Sequence, residues 1–326
     1  CDALPLHRQE KMFRRIGVEI SRGSMARWII TVGSRLSPLL EEMDLRIRCG
    51  PLIQMDETKI QVHHEPGRED HKQSFMWVAR GGPPEKPLVR YMYHPTRGGA
   101  VARSYLTGYE GYLQTDGYEA YTQIGEWEGI VHVGCLAHAR RKFDDATKVA
   151  GGSPAAREFL SVMQKIYRVE KELRLKDLSA AEFEKLRKKR AVPLFEQLEK
   201  KLVKKAAQVP PSTALGRAVA YTREVLPRIK RYLDRCFLTP DNNAAERAIR
   251  PFVIGRRNWL FSDTPKGAHA SAAFYSLIES AKSASLEPYW YIRYVLKRLP
   301  EVEESGNWES LLPENLTAEN LHSSSF

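Results

Sequence analysis

The spacing of apolar and polar residues changes character several times along this chain, and each change predicts a different kind of structure. Over residues 1–48 the spacing is helical: "LPLHRQEKMFRRIGVEISRGSMARWIITVGSRLSPLLEEM" holds amphipathic runs broken at "IGVEIS", with Ser21 or Ser24 as the next N-cap. From Pro51 the apolar residues alternate or run together. "LIQMDETKIQVHH", "SFMWVARGG" and "LVRYMYHPTRGG" read as three strands, separated by loops that carry Pro66-Gly67 and Gly81-Gly82-Pro83-Pro84. Short connections predict an antiparallel meander. "GAVARSYLTGY" then reads as a helix, "GYLQTDGYEAY" as a strand ending at Asp116-Gly117, "YEAYTQIGEW" as a short helix, "GIVHVGCLAH" as a strand and "ARRKFDDATKV" as a helix. The predicted order is β-β-β-α-β-α-β-α, an α/β sheet whose later strands arrive by helical crossovers.

Residues 153–236 lose this rhythm. They are helical and highly charged, as in "EFEKLRKKRAVPLFEQLEKKLVKK", with Pro193 and Pro210-Pro211 as dividers. Such a charge run is most often a solvated helix face, and in a basic chain it can also follow a phosphate backbone. A short helix is expected next, capped by Thr239, started by Pro240 and ended by Pro251. A long helix over Ala268–Ala284 and a last one in "YWYIRYVLKRL" follow. The tail "SGNWESLLPENLTAENLHSSSF" has no clear period and reads as loose. This gives five segments: 1–49, an N-terminal helical part that is a helix-turn-helix or a plain hairpin near Arg14, Arg15, Arg22 and Arg27; 50–152, the first part of the core; 153–237, a helical insertion; 238–300, the last part of the core; and 301–326, the tail.

Composition narrows the partners. The chain has 326 residues, 42% of them hydrophobic, and a formal charge of +11. It can bury a real core, and its charge favours an anionic partner, with nucleic acid first and an ordinary basic enzyme as the alternative. Four scattered cysteines (Cys1, Cys49, Cys135, Cys236) do not form a disulfide framework, so a reducing cytoplasm is expected. No stretch reaches the roughly 18 apolar residues of a membrane span, and no signal peptide is evident. The start at Cys1 rather than Met suggests a fragment or a processed chain.

Three acids stand out. Asp56 lies in the first strand and Asp116 at the end of the fourth, where acids from neighbouring strands can meet. Paired carboxylates are costly unless divalent cations balance them. Asp116 before Gly117 also fits a simple turn. The third is Glu246, in "DNNAAERAIRP". At about 100° per residue from Asn242, Glu246 falls near 40°, Arg250 near 80°, Asn243 near 100° and Arg247 near 140°, while Ala244, Ala245, Ala248 and Ile249 fall at about 200–340°. One face of small residues can lie on a sheet, while the other presents a carboxylate among amides and guanidiniums. Glu246 suits a hard-cation site, with Arg247 and Arg250 suited to phosphates. An exposed helix with internal Glu–Arg pairs fits the same pattern.

"MDET", "LQTDGYEAY", "GCLAHARRKF", "NNAAERAIRPFVIGRRNWLFS" and "YSLIESAK", in that order, resemble the transposases of the Insertion Sequence 66 family. "LPLHRQEKMFRRIGVEISRGSMARW" is similar to the family's helical segment ahead of the catalytic domain, so the likeness spans nearly the whole chain. The resemblance implies an RNase H-like fold of the DDE superfamily: a mixed five-stranded α/β sheet with flanking helices and a large helical insertion between the second and third acids. Asp56, Asp116 and Glu246 match the acidic triad. Two Mg²⁺ (or Mn²⁺) ions, about 3.5–4 Å apart, would support DNA strand cleavage and strand transfer.

The implied partners are double-stranded DNA at element ends and target, further copies of the chain, and accessory proteins of the same element. No membrane is implied, and the place is the bacterial cytoplasm at the nucleoid. Candidate DNA contacts are Asn242, Asn243, Arg247, Arg250, Arg256, Arg257, His138, Arg140, Arg141 and Lys142. "CLAH" sets Cys135 and His138 three apart, half the ligands a structural zinc needs; Cys135 is expected in the core and His138 near the acids. Trp259 is a core residue or a stacking platform. The family's longer N-terminal region, with a zinc-binding part and a coiled coil, has no counterpart here. The alternatives are a truncated transposase-derived DNA-binding protein, or a nuclease of the same fold without transfer activity.

Overall fold

The computed structural model describes residues 2–149 and 153–323. Cys1, the junction at 150–152 where the insertion was expected to begin, and the last three residues of the tail lie outside the described residues. The chain divides into two units. One comprises the residues up to Gly111 together with those from Ala244 onward, and the other is Tyr112–Asn243.

The first unit opens with α1 (Leu6–Arg15), α2 (Arg22–Arg35) and α3 (Ser37–Arg48). The break between α1 and α2 falls in "IGVEIS" as expected. Gly17 adopts φ +78°, and the chain folds back so that the Val18 and Gly17 amides donate to the carbonyls of Phe13 and Arg14. Ser21, not Ser24, caps α2, its hydroxyl accepting the Ser24 amide at 3.1 Å. Three strands follow: β1 (Leu52–Val62), β2 (Gln73–Gly81) and β3 (Leu88–His94), joined as the expected antiparallel meander in the order β3-β2-β1.

The next elements are α4 (Ala100–Leu106), β4 (Gly111–Gln114), α5 (Glu119–Ile124), β5 (Ile130–Val133) and α6 (Leu136–Lys148). The order β-β-β-α-β-α-β-α is therefore the one the sequence predicts. Two boundaries differ. β4 stops at Gln114, so Asp116 sits in the turn beyond the strand. α6 begins at Leu136, so "CLAH" belongs to the helix start rather than to β5.

The second unit is completed by α7 (Pro154–Arg174), α8 (Ala180–Ala206) and α9 (Ala214–Lys230), the helical insertion. Contrary to expectation, Pro193 does not divide it. Pro193 lies inside α8, where Ala191, Phe195, Leu198 and Leu202 are buried on both sides of it and outweigh one missing backbone bond. Pro210-Pro211 does separate α8 from α9. Lys185, Lys188 and Lys189 of the charge run are exposed, as a solvated face requires, but Arg187 among them is wholly buried.

The chain returns to the first unit through α10 (Asn243–Trp259), β6 (Phe261–Ser262), α11 (Pro265–Ser283), α12 (Pro288–Ser305) and α13 (Ala318–Ser323). β6 pairs parallel with β1, which makes the sheet mixed and adds a two-residue strand beyond the five expected. α10 corrects the expected helix at both ends. It starts after Thr239-Pro240, with the Asn243 amide donating to Asp241 Oδ1 at 3.1 Å, and it passes through Pro251 to Trp259. Ala245, Ala248, Ile249, Phe252 and Gly255 form one buried stripe across the proline, and packing holds the helix where local propensity would end it.

α11 shields the free edge of β3. The Val89 and Tyr91 amides donate at 2.8 Å to the hydroxyls of Ser280 and Ser276. Four helical residues rise about 6 Å and two strand residues about 7 Å, so serines four apart match amides two apart. An edge that would otherwise invite strand addition is closed.

The tail is packed rather than loose: Leu311, Leu312, Leu316 and Leu321 are buried, Tyr291 Oη donates to Leu311 O at 2.9 Å, and Arg46 pairs with Glu314. Its buried leucines form no helical stripe because they are spread over short pieces: in or beside the turns Trp308–Leu311 and Pro313–Asn315, and in α13. Among the described residues, no helix is long and apolar enough to cross a membrane.

Candidate active site

In the first unit, strand register decides where Asp56 points. Asp56 pairs with Val78, and Val78 pairs with Tyr91. Residues paired in this way share a sheet face. Val78 and Tyr91 belong to a buried cluster with Ile60 and Val62 of β1 and with Ala248, Ile249 and Phe252 of α10. The Tyr91 hydroxyl donates to the Ala248 carbonyl. Asp56 therefore lies on the face that α10 covers, while Glu57 turns to the other face and pairs with Arg97 at 2.6 Å. Glu246 stands in the first turn of α10, where the helix dipole favours a carboxylate. Asp56 and Glu246 are both half-buried.

In the second unit, Asp116 closes the turn after β4: its Oδ1 accepts the Tyr118 amide at 2.9 Å. Gly117 makes room for Tyr221, since a Cβ there would stand 2.6 Å from the Tyr221 hydroxyl oxygen. Lys142 lies over the Tyr221 ring, 4.5 Å from its centre. Burial, and then the Asp116 charge, push the Tyr221 hydroxyl up to about 12, so it stays a proton donor at neutral pH. Gly117→Ala should destabilise the protein by about 1–3 kcal/mol through overpacking, and adding Tyr221→Phe should recover part of the loss. Thermal melts of the single and double variants measure this; equal melts for the wild type and Gly117→Ala would remove the steric role.

Behind the same turn, His132 is buried, with Nε2 2.8 Å from Thr115 Oγ1. Burial, aided by the charges of Arg228 and Arg231, lowers its pKa from 6.5 to about 4. The native imidazole stays neutral while the unfolded chain takes up a proton below pH 6.5. The resulting stability is whole above pH 6.5 and is lost as pH falls toward 4, by about 3 kcal/mol. Denaturant melts across that range should show the loss in the wild type and a smaller one in His132→Gln.

Cys135 is in the core as expected. It is the N-cap of α6, its sulfur accepts the Asn242 amide at 3.2 Å, and burial pushes the thiol up to about 12. His138 lies half-buried in the first turn of α6.

A family model described as "Transposase IS66 family" matches residues 1–270, and one described as "IS66 C-terminal element" matches residues 276–313. The chain belongs to the Transposase IS66 family. It is similar to two uncharacterised proteins of Sinorhizobium fredii. To y4jD it is 32% identical over 332 aligned positions, covering 98% of this chain and 64% of the relative. To y4qI it is 32% identical over 327 positions, covering 97% and 60%. The chain thus spans about three-fifths of the length of these curated relatives.

In this IS66 family chain the basic candidates divide by environment. Arg247, Arg250, Arg257, Arg140, Arg141 and Lys142 are exposed. Arg256 is half-buried and bound to the chain itself, donating to the Lys59 carbonyl and to Thr58 Oγ1. Asn242 is buried and Asn243 half-buried. Trp259 packs edge-on against Phe252 at 5.2 Å, which is the core role. Carboxylates suit Mg²⁺ or Mn²⁺ as hard oxygen donors, and Asp56, Asp116 and Glu246 all offer them on backbone held by regular structure or a bonded turn. Sequence reasoning missed Tyr221, Arg80, Lys282 and Arg187. Their types carried no motif, and only the fold brings them beside the candidate residues or into the interior.

Proposed function

We propose that the chain is the catalytic part of a transposase that cleaves DNA strands and joins them to target DNA with divalent cations. The observation that carries this reading is the placement of Asp56 and Glu246, 190 residues apart in sequence (246 − 56), on the same α10-covered face of the first unit's sheet. Asp116, in the turn after β4, is assigned as the third carboxylate.

These three side chains would hold the cations, and the two cations would supply Lewis acidity for an in-line displacement at phosphorus. All three carboxylates are half-buried rather than enclosed in the core. The exposed guanidiniums of Arg247 and Arg250, one and four residues after Glu246, would bind phosphates on either side of the reacting one. No covalent protein–DNA bond is required, so no side chain is assigned as nucleophile. Double-stranded DNA is the proposed substrate. Further copies of the chain and accessory proteins of the same element are the proposed partners.

The test is incubation of the chain with end-labelled duplex DNA carrying the element's ends, with Mg²⁺ or Mn²⁺ and with a chelator. Strand breaks ending in a 3′-hydroxyl, followed by joined products, are expected only with metal. Breaks that persist in chelator would sink the reading. Binding without breakage would favour the DNA-binding alternative, and breakage without joining the nuclease alternative.

A further inference from the structure

Within the first unit, a cavity of about 250 Å³ opens between the end of β2, the start of α10 and the end of α11, lined by Arg80, Arg247, Lys282, Glu279, Ser283 and Ala248. It is smaller than an ordinary organic-ligand pocket, which runs to roughly 300–1,000 Å³, and four of the eight residues that line it are charged, with Val89 and Ala244 among the rest. Three cations and one carboxylate leave it a net charge of +2. Glu279 is spoken for, since it accepts from Lys282 Nζ at 2.7 Å. Among the described residues, neither Arg80 nor Arg247 forms an ion pair with a carboxylate. Arg80 donates instead to a neutral group, Gln54 Oε1, at 3.0 Å. Burial and the nearby charge of Arg247 both lower its pKa. Two guanidiniums held side by side, one of them largely desolvated, favour a bound anion.

The cavity's position identifies the anion. Arg80 pairs with Gln54, two residues along β1 from Asp56 and on the same face. Two residues of strand span about 7 Å. Arg247 directly follows Glu246 on α10. An anion held here therefore lies beside the two carboxylates, where a DNA strand bound for reaction would carry its next phosphate.

We propose that Arg80, Arg247 and Lys282 form a subsite for a backbone phosphodiester adjacent to the reacting phosphate, a proposal that rests on the DNA-cleaving reading above. Arg80 grips from the sheet, and Arg247 and Lys282 close over the phosphate from the two helices. Glu279 keeps Lys282 in place.

The experiment is oligonucleotide binding by the whole chain, followed by fluorescence anisotropy over a range of salt, with Ca²⁺ in place of the catalytic ion. Arg80→Gln and Lys282→Ala should each weaken binding about tenfold and reduce the slope of log K against log salt by about one. Lys72→Ala, an exposed loop change in the same unit, should do neither. An oligonucleotide with one methylphosphonate beside the cleavage position should bind the wild type about tenfold more weakly, but lose little further affinity with either variant. Circular dichroism melts check folding; should Arg80→Gln unfold, Lys282→Ala alone carries the cycle. Inorganic phosphate is titrated in parallel. If it binds through Arg80 while oligonucleotide affinity ignores the variants, the site serves a free anion and the proposal is overturned. If the wild type cleaves DNA and both variants bind and cleave equally well, the proposal fails while the catalytic reading stands. If no metal-dependent cleavage occurs but binding follows the predicted cycle, the subsite stands and the catalytic reading fails.

Discussion

Glu246→Gln and Asp56→Asn should each lower metal-dependent strand cleavage by about three to four orders of magnitude, or roughly 4–5 kcal/mol of transition-state stabilisation. The amide keeps the shape of the carboxylate and removes the charge that a hard divalent cation needs. Both residues are only half-buried, and neither belongs to the apolar cluster of Ile60, Val78, Tyr91, Ala248 and Phe252, so the fold should tolerate both changes. Titration calorimetry with Mn²⁺ should show the matching loss of affinity. Glu57→Gln is the control: that acid adjoins Asp56 but turns to the opposite face and pairs with Arg97. Cleavage should survive it. If Glu57→Gln abolishes cleavage and Glu246→Gln does not, the assignment of acids to the sheet face is wrong.

The largest effect on stability is expected from Arg187→Ala. Arg187 is wholly buried in α8, and its guanidinium makes five hydrogen bonds. Nη1 donates at 2.8 Å to the carbonyls of Tyr232 and Arg235. Nη2 donates to Glu170 Oε1 at 2.8 Å and to the carbonyls of Leu238 and Cys236 at 3.0 and 3.2 Å. The rings of Phe183 and Tyr232 lie within 4.5 and 5.2 Å of it. Arg174 donates to the same two carbonyls of Cys236 and Leu238.

One planar cation thus fixes the irregular stretch 232–238, through which the chain leaves the insertion on its way to α10. Removing it takes the donor from the Tyr232 carbonyl, one of two donors from each of the Arg235, Cys236 and Leu238 carbonyls, and a buried partner from Glu170, and should cost about 3–5 kcal/mol. For a unit of this size the melting temperature should fall by about 10 °C. Arg187→Lys should recover little, because a compact ammonium cannot reach four carbonyls and a carboxylate at once. Hydrogen exchange should rise first in residues 232–242. A melt within 1 °C of the wild type would show that the neighbouring Arg174 suffices.

These two residues show how differently the sequence discloses its contents. Glu246 was legible because its surroundings are local: four small or apolar neighbours on one side of a helix and amides and guanidiniums on the other. The family likeness then gave it a role. Arg187 was not legible. It sits in "KLRKKR", where every neighbour's charge argues for solvent, and only the carbonyls of residues 232–238 make its burial favourable. Arg80 and Lys282 were missed for the same reason. Each looks like a single surface charge until α10 and α11 come together over β2 and enclose the cavity with Arg247. Pro251 misled in the opposite direction: its local rule is to end a helix, and the buried stripe from Ala245 to Gly255 overrides it.

The sequence by itself determined the kind and order of the elements from β1 to α6, because periods of two and of about 3.6 residues are written in neighbouring positions. It also determined the family, and it offered Asp56, Asp116 and Glu246 as candidates, because the motifs are short and ordered. The tertiary structure decided which acid of "MDET" faces α10, since pairing register alone selects the face of a strand. It decided that the tail packs, since Leu311, Leu312, Leu316 and Leu321 find their partners far away in sequence. It also decided which basic residues stay exposed and which turn inward. Those outcomes depend on desolvation and on hydrogen bonds between distant segments, and no window of adjacent residues contains them.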